Sequence, residues 1–278
     1  MTRELVIQKG ISFALVALAI AYLSPLQIGL GFSVLGQGHF LGAYYYQWKA
    51  GKIKPMWFLA YAVLAMALFT LAIATHRFEW FALGAGVLFF THHFQDEVTL
   101  FGKERSFARA LEQIPPIALY STLTADALFG ISSALFAVGA TLASLALYAL
   151  IVRYRSYTPD ALSVYLWLVA AGLIVLWTTG IRMAPEALLG SVILFHYICW
   201  YVHFYFRFAN DKEKQHRYVR EMLTVHAIVF GFYAVFVYTT WGSLNLGYIF
   251  LPIYFYIWAI LHIVFSVRLT DYRAILRW

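Results

Sequence analysis

Only 12% of the 278 residues are charged, about half the share found in a soluble domain. That scarcity excludes a soluble globular protein of this length. Acidic side chains are the rarer sign, 13 against 20 Lys and Arg, which leaves a formal net charge of +7. Cysteine occurs once, at Cys199, so an intramolecular disulfide is excluded. Thiolate-rich zinc or iron–sulfur sites are disfavoured for the same reason. Cys199 lies within an apolar run, where a lone thiol reads as a small packing residue. There is no low-complexity tract and no internal repeat.

In place of charge there is apolar mass: 63% of residues are hydrophobic and the mean hydropathy is +0.73. Apolar runs long enough to cross a bilayer recur along the chain. They predict an all-α, polytopic membrane protein of 8–10 transmembrane helices in one bundle, with residues 1–278 forming a single integral membrane domain. The spans fall at about 10–23, 26–48, 56–75, 80–101, 114–130, 132–152, 160–179, 187–206, 221–241 and 248–267. Pro115 and Pro116 suit the start of the fifth. Turn signals stand between the spans at Pro25, Gly51 with Pro55, Pro159, Pro185 and Gly242 to Gly247. The N-terminal run from Ile11 to Leu23 lacks a small-x-small cleavage site and reads as a short first membrane helix rather than a signal peptide.

With ten spans and a cytoplasmic N-terminus, only Arg77 and Arg182 of the 20 basic residues fall on the far side. This positive-inside bias predicts that both termini are cytoplasmic, in a membrane such as the bacterial inner membrane. The basic loops then record topology and contact with anionic lipid, and nucleic acid is not expected as a partner.

The polar residues inside the spans carry the chemistry. Leu88 to Glu97 is an apolar run that abruptly presents His92, His93, Asp96 and Glu97. Each ionisable group at that depth costs a few kcal/mol unless it has a partner or a task. His92 with Asp96 and His93 with Glu97 are spaced for one helical face each. On the predicted topology His39, His92, His93, His196, His203, His226 and His262 all lie within roughly 6 to 17 Å of the cytoplasmic boundary. His76 and His216 fall in loops. Imidazole mixed with carboxylate suits iron, as in helical bundles whose facing helices pool His and Glu. His39, His93, His203 and His262 are the first candidate ligands, with Glu97 or Asp96 bridging or orienting them. His92, His196 and His226 are alternatives. Phe89, Phe90, Phe94, Trp200, Tyr201, Phe204 and Tyr205 would line an apolar pocket or face lipid.

At these residues the chain resembles the Brp/Blh family of membrane β-carotene 15,15'-dioxygenases. Gly36-Gln37-Gly38-His39 resembles its first Gly-x-x-His segment, and His93-Phe94-Gln95-Asp96-Glu97 its His-Phe-Gly segment followed by an acid. Tyr197-Ile198-Cys199-Trp200 through His203 and Arg207 is similar to its aromatic Trp-His-x-x-Arg-His segment, and Leu261-His262 to a late Pro-His segment. Phe40 after His39 and Leu261 in place of proline depart from the pattern. The His-x-x-His-His boxes of membrane fatty-acyl desaturases are absent.

The expectation is a membrane oxygenase with one or two non-heme iron ions. It would use O2 to cleave or oxidise a lipophilic substrate such as a carotenoid, another isoprenoid or an acyl chain. Membrane lipids surround it, and its electron donor is not legible in the sequence. Two alternatives follow from the same residues. One is a heme-binding electron-transfer protein with paired axial histidines; the other is a transporter that uses the polar cluster as a proton or metal relay.

Overall fold

The computed structural model describes residues 2–49, 51, 55–101, 107–130, 134–154, 157–179, 184–238 and 252–266. Among them are ten α-helices and no strand. These are α1 (Thr2–Tyr22), α2 (Pro25–Lys49), α3 (Pro55–Ala74), α4 (Phe78–Phe101), α5 (Phe107–Phe129), α6 (Ala134–Tyr154), α7 (Ala161–Thr178), α8 (Pro185–Arg207), α9 (Lys212–Tyr238) and α10 (Pro252–Ser266). The all-α expectation holds. The turn from Gly242 to Gly247, and the basic residues Lys52, Lys54, Lys103, Arg105, Arg155, Arg182, Arg268, Arg273 and Arg277, lie outside the described residues.

Local chemistry sets the helix ends. Four helices (α2, α3, α8 and α10) begin on proline, whose missing N–H is one of the donors a first turn leaves unused. Ser24 and Gln27 close a reciprocal cap ahead of α2. The Ser24 N–H donates to Gln27 Oε1 at 2.8 Å, and the Gln27 N–H to Ser24 Oγ at 3.3 Å. Asp160 caps α7, accepting from the N–H groups of Leu162 and Ser163 at 3.0 and 3.1 Å. Asp211 accepts the Lys214 N–H at 3.0 Å in the first turn of α9. The Lys214 ammonium at 2.8 Å holds the exposed Asp211 carboxyl below its usual range.

Among the described residues, four helices are long and apolar enough to cross a membrane: Leu5–Tyr22, Ala137–Tyr154, Ala161–Thr178 and Ala187–Arg207. Large side chains such as Phe13, Leu142 and Leu168 are more than half exposed along them, as lipid-facing surface requires. The chain is a membrane protein. Buried polar side chains interrupt the apolar surface of α2, α4 and α5, among them Gln37 and His39, His92 and Glu97, and Arg109 and Glu112.

Three helices start earlier than their apolar spans: α1 at Thr2, α5 and α9. α5 begins at Phe107, so Pro115 and Pro116 sit inside it and not at its start. Each proline removes a bond to the carbonyl four residues back, a cost of about 3 kcal/mol in an isolated helix. Side-chain bonds across the preceding turns help hold the segment helical. Likewise, α9 begins at Lys212, so His216 is exposed on a helix and not in a loop. Its first turns bury Gln215 and Tyr218 and leave the charges outside, the pattern of an amphipathic surface helix.

The chain divides into two compact units, one built mainly from 72–185 and the other from 3–71 with 186–262. In the first, α5 is the centre. Leu119 packs with Ala137 of α6 and Ala170 and Leu173 of α7, and Tyr120 stacks on Phe90 of α4 at 5.1 Å. Arg109 of α5 is 2% exposed and Glu112 fully buried, although hydropathy alone places Arg109 in a solvated loop. Arg109 Nη1 lies 2.6 Å from Glu112 Oε2 and donates to Ser163 Oγ at 3.1 Å, while Nη2 lies 2.9 Å from Asp160 Oδ2.

In the second unit α2 packs against α8, α9 and α10. Val34 meets Val229, and Phe32 lies edge-on to Phe255 with centroids 4.8 Å apart. A side chain at Gly36 would put its Cβ 2.6 Å from the Phe255 ring and 2.8 Å from the Tyr197 hydroxyl, so only glycine fits there. α1 joins α8 through Lys9, whose Nζ lies 3.3 Å from Cys199 Sγ, and through the Cys199 thiol, which donates to Ser12 at 3.2 Å. The predicted packing thiol is thus buried but in polar company.

Candidate metal centre

Three of the seven membrane histidines meet inside the second unit. His39 comes from the middle of α2, His196 from the middle of α8 and His262 from α10. One ring nitrogen from each lies within 4.8 Å of the other two, and all three residues are buried. The His39 ring centroid is 5.0 Å from that of His262 and 5.5 Å from that of His196. Around a tetrahedral ion with metal–nitrogen bonds of about 2.1 Å, ligand nitrogens stand about 3.4 Å apart. Side-chain shifts of about an ångström would close these three onto one ion. Three protein ligands leave a coordination position for a small molecule.

The local sequence explains the meeting. Gly36 lets α2 approach α8 and α10 one turn before His39. Tyr197, the residue after His196, stacks on the His39 ring at 4.5 Å and 27°. Phe40, the residue after His39, lies 4.9 Å from the His262 ring. Trp200 and Tyr201 set their edges toward His39 at 6.3 and 6.0 Å. The centre is therefore walled by aromatic rings, an apolar surround that excludes water and strengthens interactions within it. Among the described residues nothing hydrogen-bonds the buried Tyr197 hydroxyl.

Every other sequence candidate can be placed. His203, expected as a ligand, follows His196 by seven residues on α8, roughly 10 Å farther along the axis, and His196 takes its place in the triad. His226 of α9 has both ring nitrogens engaged: Nδ1 with the Met222 carbonyl at 2.8 Å and Nε2 with the Tyr201 hydroxyl at 3.0 Å. His92, His93, Asp96 and Glu97 belong to the first unit. There the His92–Asp96 pair forms as the spacing predicts, Nε2 to Oδ2 3.4 Å. His93 and Glu97 are both buried, and His93 lies parallel to Phe89 at 6.4 Å. The triad itself contains no carboxylate.

Sequence reading misses the buried Arg109–Glu112–Asp160 group. Its available signal is the i,i+3 spacing of Arg109 and Glu112 just ahead of two prolines. No protein-family model, curated protein or solved structure matches this chain.

Proposed function

We propose that the protein is a membrane-embedded, metal-dependent oxygenase that holds iron on His39, His196 and His262 and oxidises a lipophilic substrate with O2. The convergence of three buried imidazoles from three helices onto one small volume carries this reading. Nothing in ordinary helix packing requires three imidazoles at one point, and burying each costs free energy that a shared cation offsets. Among available metals, imidazole suits iron, copper and zinc. Iron is the member of that set that fits the resemblance carried by the segments around His39 and His262.

Three nitrogens within 4.8 Å of one another also favour a small ion over heme. A porphyrin between any two of them would need the space of the third. When bound, the ion would supply O2 activation. The chain's own groups bind and orient: the aromatic rings of Phe40, Tyr197, Trp200 and Tyr201 offer apolar faces to a long hydrocarbon. Cleaving a carbon–carbon double bond with O2 places one oxygen atom in each of two carbonyl products and needs no electron donor. Hydroxylation would need two electrons and two protons from elsewhere.

The iron-loaded protein in detergent, given a long conjugated polyene under 18O2, should bleach it and yield carbonyl products that each carry label. Failure to consume O2 with polyene, isoprenoid or acyl substrates would overturn the oxygenase reading.

The proposed orientation, with both termini cytoplasmic as in a bacterial inner membrane, has its own test. Single cysteines at exposed His76 and Lys214, introduced into a Cys199→Ser background, should react with an impermeant maleimide from opposite sides. Labelling of both from one side would contradict the orientation.

A further inference from the structure

We infer that His226 is not a ligand but a positioning residue, which acts through Tyr201 to fix the His39 imidazole at the centre. The inference rests on the metal reading of the triad. A carbonyl oxygen only accepts, so the 2.8 Å contact with Met222 places a proton on His226 Nδ1. In the neutral ring Nε2 is then an acceptor, and at 3.0 Å the Tyr201 hydroxyl donates to it. Neither nitrogen is left to bind an ion. Tyr201 is thereby held in one rotamer, with its ring edge-on to His39 at 6.0 Å and 78°. Tyr197, one turn earlier on α8, stacks on the same imidazole. The two tyrosines set its plane.

Gly38, the residue before His39, makes room for this device. A Cβ there would lie 2.5 Å from His226 Nε2 and 2.7 Å from Cδ2. The His226 ring is thus seated directly on the α2 backbone beside the ligand it serves. Met222, whose carbonyl accepts from Nδ1–H, also comes within 3.0 Å of a Cβ built at Gly42, one turn on. A line of contacts from α9 through α8 to α2, hydrogen-bonded as far as Tyr201 and completed by its ring edge, therefore terminates at His39. Supports of this kind hold a ligand in its binding orientation before the ion arrives.

Cobalt(II) is a suitable probe because its visible absorption reports ligand geometry. The wild-type protein, freed of metal in detergent, should bind cobalt(II) with a distinct visible spectrum. Tyr201→Phe removes one oxygen atom, and Gly38→Ala pushes His226 off its seat without deleting a polar group. Both should still bind cobalt at the wild-type stoichiometry, but about 10- to 100-fold more weakly and with an altered spectrum. His226→Gln, which keeps an acceptor for Tyr201, should bind more tightly than His226→Ala. Circular dichroism confirms folding, and Tyr201→Phe decides the matter should Gly38→Ala not fold. Loss of stoichiometric cobalt in His226→Ala, as in His39→Ala, would make His226 a ligand and overturn the inference. Unchanged affinity and spectrum in Tyr201→Phe would overturn it too. Failure of the wild-type protein to bind cobalt would instead refute the metal reading beneath it.

Discussion

Replacing His39, His196 or His262 singly by Ala is expected to abolish metal retention, taking purified protein from about one ion per chain to almost none. Outer supports of a metal site cost 10- to 100-fold in affinity when lost, and removal of one of only three ligands should cost more. The two remaining imidazoles would hold an ion too weakly to survive purification. Activity with any substrate should fall with the metal. His76→Ala and His216→Ala change exposed residues and should leave metal content untouched. Helical content should persist in all five variants, since each removes a single side chain. That contrast separates a site from packing, because loss of a packing histidine lowers stability with no ion to lose. Metal analysis of the five proteins side by side is the check. Uniform metal content across them would dismiss the triad.

The second large effect concerns stability. Arg109→Met should destabilise the first unit by about 3–5 kcal/mol, the usual result of removing one partner from a buried ion pair. Arg109 is 2% exposed and lies 2.6 Å from Glu112 and 2.9 Å from Asp160. Without the guanidinium, the Glu112 and Asp160 carboxylates would lose the cation they share, and Ser163 would lose a donor. Asp160 also caps α7, so the loss would reach the start of that helix. Adding Glu112→Leu to Arg109→Met should recover part of the loss, because an uncharged pair removes the unpaired carboxylate. Denaturant titration followed by circular dichroism would measure both. A change below about 1 kcal/mol in Arg109→Met would show the group to be solvated as a surface pair is.

Hydropathy makes the all-α membrane fold legible because a bilayer demands long apolar helices whatever their tertiary partners. It places the helices of His39, His196 and His262 well, since those spans are bounded by proline, glycine and charge. It fails at α5 and at the starts of α1 and α9, where polar residues are helical through contacts that a window average cannot register. Arg109 counts as a loop charge on any hydropathy scale, yet Glu112, Asp160 and Ser163 bury it. Spacing fares similarly with the histidines. It puts His92 and Asp96 on one face, where they are found 3.4 Å apart, because i,i+4 geometry is local. It does not say that His196, rather than His203, shares a volume with His39 and His262. That choice depends on how closely α2 approaches α8, which Gly36 and Gly190 permit. Nor does it foresee His226 facing Tyr201, since both partners lie on different helices. Sequence counts imidazoles along the spans; only packing shows which of them meet.

Elemental analysis of the purified wild-type protein, read together with its visible absorption spectrum, tests the central claim most directly. The account predicts about one iron per chain, lost in His196→Ala, and no intense Soret band. Stoichiometric heme, or protein that retains no iron and takes up none when supplied with ferrous ion, would contradict it.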